Sequence, residues 1–158
     1  MDKINVTYLI DDDEITIYLA DRIMNKMRFS GRVEKFTQAM SAINRLKFAL
    51  DVKENIPDLI LFDLNMPQTS GWDFIEEYSK LTLPEKIPAF IFTSSISPEE
   101  IERSKEYEAI KGIILKPLTV HKLNKILRIC DKECLEHPEI HFSPLSPYTP
   151  FNQASGMN

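Results

Sequence analysis

Five residues stand directly after short apolar runs of this chain and carry groups that do chemistry. Asp11 and Asp12 follow VTYLI, Asp63 follows DLILF, Thr93 closes IPAFIF, and Lys116 follows GIIL. They supply three carboxylates, a hydroxyl and an ammonium. Two like charges about 4 Å apart repel by roughly 4 kcal/mol at an effective dielectric of 20, so such carboxylates, once gathered, demand a cation or a shared proton. Oxygen-only donors point to Mg²⁺ rather than zinc. A second group, Cys130, Cys134, His137 and His141, has the composition of a zinc site. Pro138 interrupts any second helix there, and cysteine is commonly a small buried hydrophobe, so the packing reading is preferred.

The apolar pattern shows what positions the first group. Val6–Ile10 reads as a strand. Ile15, Tyr18, Leu19, Ile23 and Met27 recur at the spacing of one helical face, and Gly31 is expected to stop that helix. Arg32–Phe36 reads as a second strand and Thr37 as an N-cap. Ala39, Ala42, Ile43, Leu46 and Leu50 form the buried stripe of a second helix ending before Pro57. Asp58–Phe62 is apolar on consecutive positions, as in a parallel strand covered on both faces. Gly71 opens a third helix with Phe74, Ile75 and Tyr78 inward, and Trp72 packs at its start. Ile87–Phe92 is a fourth strand. Ser97, Pro98 and Glu100 form a capping-box pattern for a polar fourth helix over Glu99–Glu108, anchored by Ile101, Tyr107 and Ile110 and expected to pack shallowly. Gly112–Leu115 is the fifth strand; Leu123, Ile126, Leu127, Cys130 and Cys134 mark the fifth helix. Five β–α units with short connections imply an α/β fold, a doubly wound five-stranded parallel sheet. In such a sheet the site lies beyond the carboxyl ends of the strands, where all five chemical residues fall.

The 158 residues suit one domain plus spare length, read as a domain over 1–135 and a Pro-rich flexible tail over 136–158. In that tail the Ser-Pro and Thr-Pro steps with Phe142, Tyr148 and Phe151 read as solubilising rather than as a docking peptide. At 43% hydrophobic and 27% charged the chain can bury a core. A net charge of −5 argues against DNA as a direct partner. No apolar run approaches the roughly 20 residues of a membrane span, and no signal peptide pattern opens the chain, so no membrane insertion and a cytoplasmic location are expected. Two cysteines make no disulfide framework.

The segments LIDDDE, LILFDLNMPQTSGWDFI, FIFTSS and ILKPLT, in this order and each at a strand end, resemble the receiver domain of two-component response regulators. The resemblance implies a CheY-like, flavodoxin-like sheet of order 2-1-3-4-5. It implies Asp63 as phospho-acceptor from a histidine kinase or phosphotransfer protein. Asp11, Asp12, Asp63 and the backbone carbonyl of Asn65 match the Mg²⁺ ligands, and Thr93 and Lys116 the groups that contact phosphoryl oxygens. Asn65 and Ser95 match positions that tune acyl-phosphate hydrolysis. Ile113 departs from the pattern, since many receivers carry a rotating Tyr or Phe there. The implied protein is not an enzyme in its own right. It is a stand-alone switch that assists its own phosphorylation and dephosphorylation and acts on a downstream protein target, because the stretch after Leu135 is too short for a DNA-binding effector. Phosphorylation-dependent dimerisation through the fourth and fifth elements stays open.

Three rivals share parts of this pattern. A haloacid-dehalogenase-type phosphatase needs a second Asp two residues after the nucleophile, where this chain has Asn65. A flavin mononucleotide carrier must cradle a phosphate dianion in its first loop, which Asp11-Asp12-Asp13 would repel. A phosphorylation-independent pseudo-receiver would not need the acidic set intact.

Overall fold

The computed structural model describes residues 4–133. Strands and helices alternate in the order β1 (Val6–Ile10), α1 (Glu14–Lys26), β2 (Arg32–Phe36), α2 (Ala39–Val52), β3 (Leu59–Phe62), α3 (Gly71–Ser79), β4 (Ala89–Thr93), α4 (Pro98–Ser104), β5 (Ile110–Leu115) and α5 (Val120–Glu133). Every strand pairing is parallel and the sheet order is β2-β1-β3-β4-β5, the doubly wound arrangement expected. All residues of β1, β3 and β4 are buried, because helices cover both faces. Tyr8, Ile10, Ile60, Phe62 and Ile91 face α2 and α3; Leu9, Leu59, Leu61, Phe90 and Phe92 face α1 and α5. A register shift opposite Ala89 and Phe90 inserts Lys111, so that Ile110 and Ile113 share a face. β2 lies at an edge and carries Arg32, Glu34 and Lys35, charges that keep an unpaired strand from recruiting another chain.

Several local expectations are corrected. The face of α1 turned to the sheet is Ile17, Ala20 and Met24, with Ile23 and Met27 half-buried beside it, whereas Ile15, Tyr18 and Leu19 are 71%, 61% and 55% exposed. Both stripes have helical spacing. Asp13 caps α1 by accepting from the Ile15 N–H at 3.0 Å and the Thr16 hydroxyl at 2.9 Å, and the small Ala20 is the residue buried midway along the helix. The helix ends at Met27, before Arg28 takes a positive φ of 51°, rather than at Gly31. Gly31 instead lets the chain pass close to β1: a Cβ there would lie 3.0 Å from the Asn5 carbonyl oxygen. The N-cap of α2 is Gln38, not Thr37, and makes no side-chain cap bond. α4 does have its capping box of Ser97 and Glu100, but it stops at Ser104. Beyond it Glu106 and Tyr107 bond the carbonyls three residues back, and Ile110 already belongs to β5. Cys130 is buried on the inner side of α5, while Cys134, His137, His141 and the 136–158 segment lie outside the described residues.

Candidate functional site

Backbone pairing continues one residue beyond each of the relevant strands, and this brings the chemical residues together. The Asp11 N–H bonds the Phe36 carbonyl at 3.0 Å, the Asp63 N–H bonds the Ile10 carbonyl at 3.0 Å, and the Lys116 N–H bonds the Thr93 carbonyl at 2.9 Å. Asp63 thus sits beside Asp11, and Lys116 beside Thr93, at one end of the sheet. The Lys116–Pro117 peptide is cis.

The side chains converge. Asp11 is fully buried; its Oδ1 accepts from the Asp13 N–H at 2.9 Å, while its Oδ2 has no aligned hydrogen-bond donor and faces the Lys116 Nζ at 2.5 Å. The same ammonium donates to Asp63 Oδ2 at 3.1 Å, and Asp63 Oδ1 accepts from the Asn65 N–H at 3.2 Å. Asp12 is exposed. Oxygens of Asp11, Asp12 and Asp63 lie within 4.8 Å of one another, three carboxylates served by one ammonium. Burial pushes the Asp11 carboxyl above its ordinary range, and the Lys116 ammonium and the Asp13 N–H offset this only in part. Burial pulls Lys116 down, but its bonds to Asp11 and Asp63 outweigh it and hold the ammonium above the usual lysine value. A buried carboxylate oxygen whose neighbouring ammonium is shared with a second carboxylate, within reach of two other acidic oxygens, belongs to the kind of donor set a hard divalent cation takes.

Thr93 is fully buried. Its hydroxyl accepts from Asn65 Nδ2 at 3.2 Å and donates to the Ser95 carbonyl at 3.1 Å. Ile113 is packed in the interior at 1% exposure, away from the surface. Asp13 stays out of the acidic cluster because its carboxylate is spent on capping α1.

Other residues of the site were not legible in the spacing. Gly71 is one: a Cβ there would fall 2.3 Å from the Asp63 carbonyl oxygen, and the Gly71 N–H bonds Leu64 O at 3.1 Å, so α3 starts pressed against the backbone of Asp63. A depression of about 200 Å³ opens beside Asp12, walled by Thr37, Gln38 and the Met66–Thr69 segment. Trp72 is buried, with the Arg103 guanidinium 4.3 Å above its ring and Tyr107 at 6.1 Å; Arg103 also pairs with Glu76 at 3.0 Å, tying α4 to α3. An arginine thirty-one positions away that stacks on a tryptophan leaves no mark in local sequence.

Residues 7–128 match the response regulator receiver domain. Over 138 residues the chain is 28% identical to an uncharacterized response regulatory protein of Vibrio cholerae, covering 87% of this chain and 52% of that protein. It is 22% identical over 120 residues to the probable methanogenesis regulatory protein FilR2 of Methanothrix harundinacea, covering 76% and 77% of the two chains. The chain therefore spans about half the length of the Vibrio relative. Among solved structures, a two-component response regulator from Cytophaga hutchinsonii superposes with a TM-score of 0.75 at 26% identity, covering 82% of this chain and 98% of that one. A response regulator receiver protein from Dyadobacter fermentans gives 0.66 at 26% identity, covering 80% and 97%. A family match over most of the chain, the sheet order and the acidic strand ends agree, and this chain belongs to the response regulator receiver domain family.

Proposed function

We propose that this chain is a phosphorylation-controlled switch. In this reading the domain of residues 1–135 takes a phosphoryl group on Asp63 from a histidine kinase or phosphotransfer protein in the cytoplasm. The output is binding to a downstream protein. The observation that carries the reading is the Lys116 ammonium shared between Asp11 Oδ2 and Asp63 Oδ2 inside a cluster of three carboxylates.

Asp63 reacts as the nucleophile. One of its oxygens forms a bond to phosphorus as the P–N bond to the donor imidazole breaks; the electron pair leaves with the imidazole, which takes its proton from solvent. Asp11, Asp12, Asp63 and the Asn65 backbone carbonyl would hold Mg²⁺. The ion, when bound, neutralises the phosphoryl oxygens and the clustered carboxylates. Lys116 holds Asp63 through Oδ2, and once that carboxylate becomes an acyl phosphate its ammonium is released to a phosphoryl oxygen. The Thr93 hydroxyl exchanges its bond to the Ser95 carbonyl for a phosphoryl oxygen, which shifts the loop leading into α4. Ile113, aliphatic and buried, gives this chain no rotating aromatic to report the change. The chain turns over no substrate of its own; it assists its own phosphorylation and dephosphorylation.

Incubation with acetyl phosphate and Mg²⁺, read by intact mass and peptide mapping, tests the assignment. The adduct is expected on Asp63, lost on Mg²⁺ chelation and absent from Asp63→Asn. Labelling of that variant at the wild-type rate moves the acceptor elsewhere. If no donor modifies the folded wild type, the chain is a phosphorylation-independent binding module.

A further inference from the structure

α5 opens against its own electrostatics. The first turn of a helix presents unpaired N–H groups and the positive end of the backbone dipole, which favours an acid at its third position. The first turn of α5 has no acid, and Lys122 stands at that position, its N–H bonded to the Thr119 hydroxyl at 3.2 Å. The ammonium is half-buried and turns back on the preceding loop, where it donates to the Leu115 carbonyl at 2.5 Å and to the Pro117 carbonyl at 2.9 Å. Burial holds it below the ordinary lysine range. A cation at a helix N-terminus is unfavourable, and withdrawing it from water adds to that. A solvated surface lysine would incur neither.

The two carbonyls belong to the residues on either side of Lys116. The Lys116 N–H is itself bonded to Thr93, so the backbone that carries this side chain is tied at three points, two of them by Lys122. β5 is an edge strand with β4 as its one sheet neighbour, so the sheet alone fixes this turn from one side.

We infer that Lys122 is a positioning residue: by bracketing Lys116 through the Leu115 and Pro117 carbonyls it sets the Lys116 ammonium between Asp11 and Asp63. Its effect on phosphorylation rests on the function proposed above; its effect on the place of Lys116 does not.

Lys122→Met keeps the aliphatic stem and removes the donors; Lys122→Arg keeps donors. Three measurements are made on the full chain: thermal unfolding, crystal structures without divalent ion, and the rate of acetyl phosphate labelling in Mg²⁺ at varied donor concentration. In Lys122→Met the Lys116 ammonium is expected to leave Asp63 by on the order of 1 Å, and the maximal labelling rate to fall at least about tenfold. The half-saturating donor concentration and the melting temperature stay near wild type, and Lys122→Arg recovers most of the rate. An unmoved Lys116 with a rate within about twofold of wild type overturns the inference, as does an Arg variant as slow as the Met variant, or a rate loss that follows lost stability. If the wild type takes no label while Lys122→Met still releases Lys116, the phospho-acceptor reading fails and the positioning role stands. Should Lys122→Met not fold, Lys122→Leu, which also lacks donors, undergoes the same measurements with the same expectations.

Discussion

Replacing Asp11 by asparagine is expected to make the ion-free protein more stable, although it removes a charge 2.5 Å from an ammonium. The Coulomb contributions nearly cancel. At an effective dielectric of 20 the attraction across 2.5 Å is about 7 kcal/mol, while each repulsion across 4.8 Å is about 3.5 kcal/mol and Asp11 has two carboxylate neighbours. What remains is the cost of holding an ion out of water, several kcal/mol for a fully buried carboxylate. Asparagine keeps the bond that Oδ1 accepts from the Asp13 N–H. We expect a net gain of about 1–3 kcal/mol at neutral pH, roughly 3–10 °C in melting temperature for a domain of this size. The sign of the pH dependence follows from burial, which holds the folded Asp11 carboxyl above its unfolded value of 3.8. The penalty for charging it is absent below the unfolded value, accrues as pH rises toward the folded one, and is constant above that. The difference between variant and wild type is therefore full above the folded value, shrinks as pH falls from there toward 3.8, and is gone below it. Urea unfolding in EDTA at both ends of that window measures it. Mg²⁺ then stabilises the wild type, by about 2.7 kcal/mol at a hundred times its dissociation constant, and the variant much less. A variant less stable than wild type at neutral pH in EDTA, or a gain that persists undiminished in acid, refutes the reasoning.

Gly71→Ala forces a Cβ to within 2.3 Å of the Asp63 carbonyl oxygen, where only backbone can yield; a loss of about 2–3 kcal/mol in urea unfolding is expected, together with slower labelling of Asp63. Ile17→Ala is expected to cost about 2–4 kcal/mol and Ile15→Ala less than about 0.5 kcal/mol, and comparable losses would put the wrong face of α1 against the sheet. Arg103→Ala removes the stacking on Trp72 and an exposed pair with Glu76, worth about 1 kcal/mol together; faster amide exchange in α4 and altered emission of Trp72, the one tryptophan of the chain, are the readouts.

The sheet and the ends of its strands were legible because the signals that specify them are local. β1, β3 and β4 are apolar at consecutive positions, as a strand covered on both faces requires, and a polar residue directly after such a run has to stand at the rim. Faces of helices are a different matter. α1 carries two stripes of helical spacing, and Ile15, Tyr18 and Leu19 are bulkier than Ile17, Ala20 and Met24; the sheet selects the second, which counting large apolar residues cannot anticipate. The end of α4 was overestimated for a related reason: Tyr107 does pack on the core, but from a turn beyond the helix, and burial at a suitable spacing is not itself helix. Contacts between distant positions, such as Arg103 over Trp72 or Asn65 on the Thr93 hydroxyl, arise only when the units are stacked.

Ile113 bears on how a change at Asp63 would travel. A buried aliphatic side chain has no swing between core and surface to offer as a reporter, so on the proposed function the signal must run through bonds already present. Two such routes meet α4 at different ends. The Thr93 hydroxyl holds the Ser95 carbonyl, two residues before the Ser97 cap that closes on Glu100, so drawing that hydroxyl away loosens the start of the helix. At the other end Arg103 rests on Trp72, which follows Gly71, the residue in contact with the backbone of Asp63. α4 is short and polar, with Ser104 as its one fully buried residue and Ile101 packed on the core, and these two attachments add to that anchoring. On the proposed function, a helix with a link at each end to the neighbourhood of Asp63 can shift as a unit when that residue is phosphorylated, without an aromatic side chain to relay the motion.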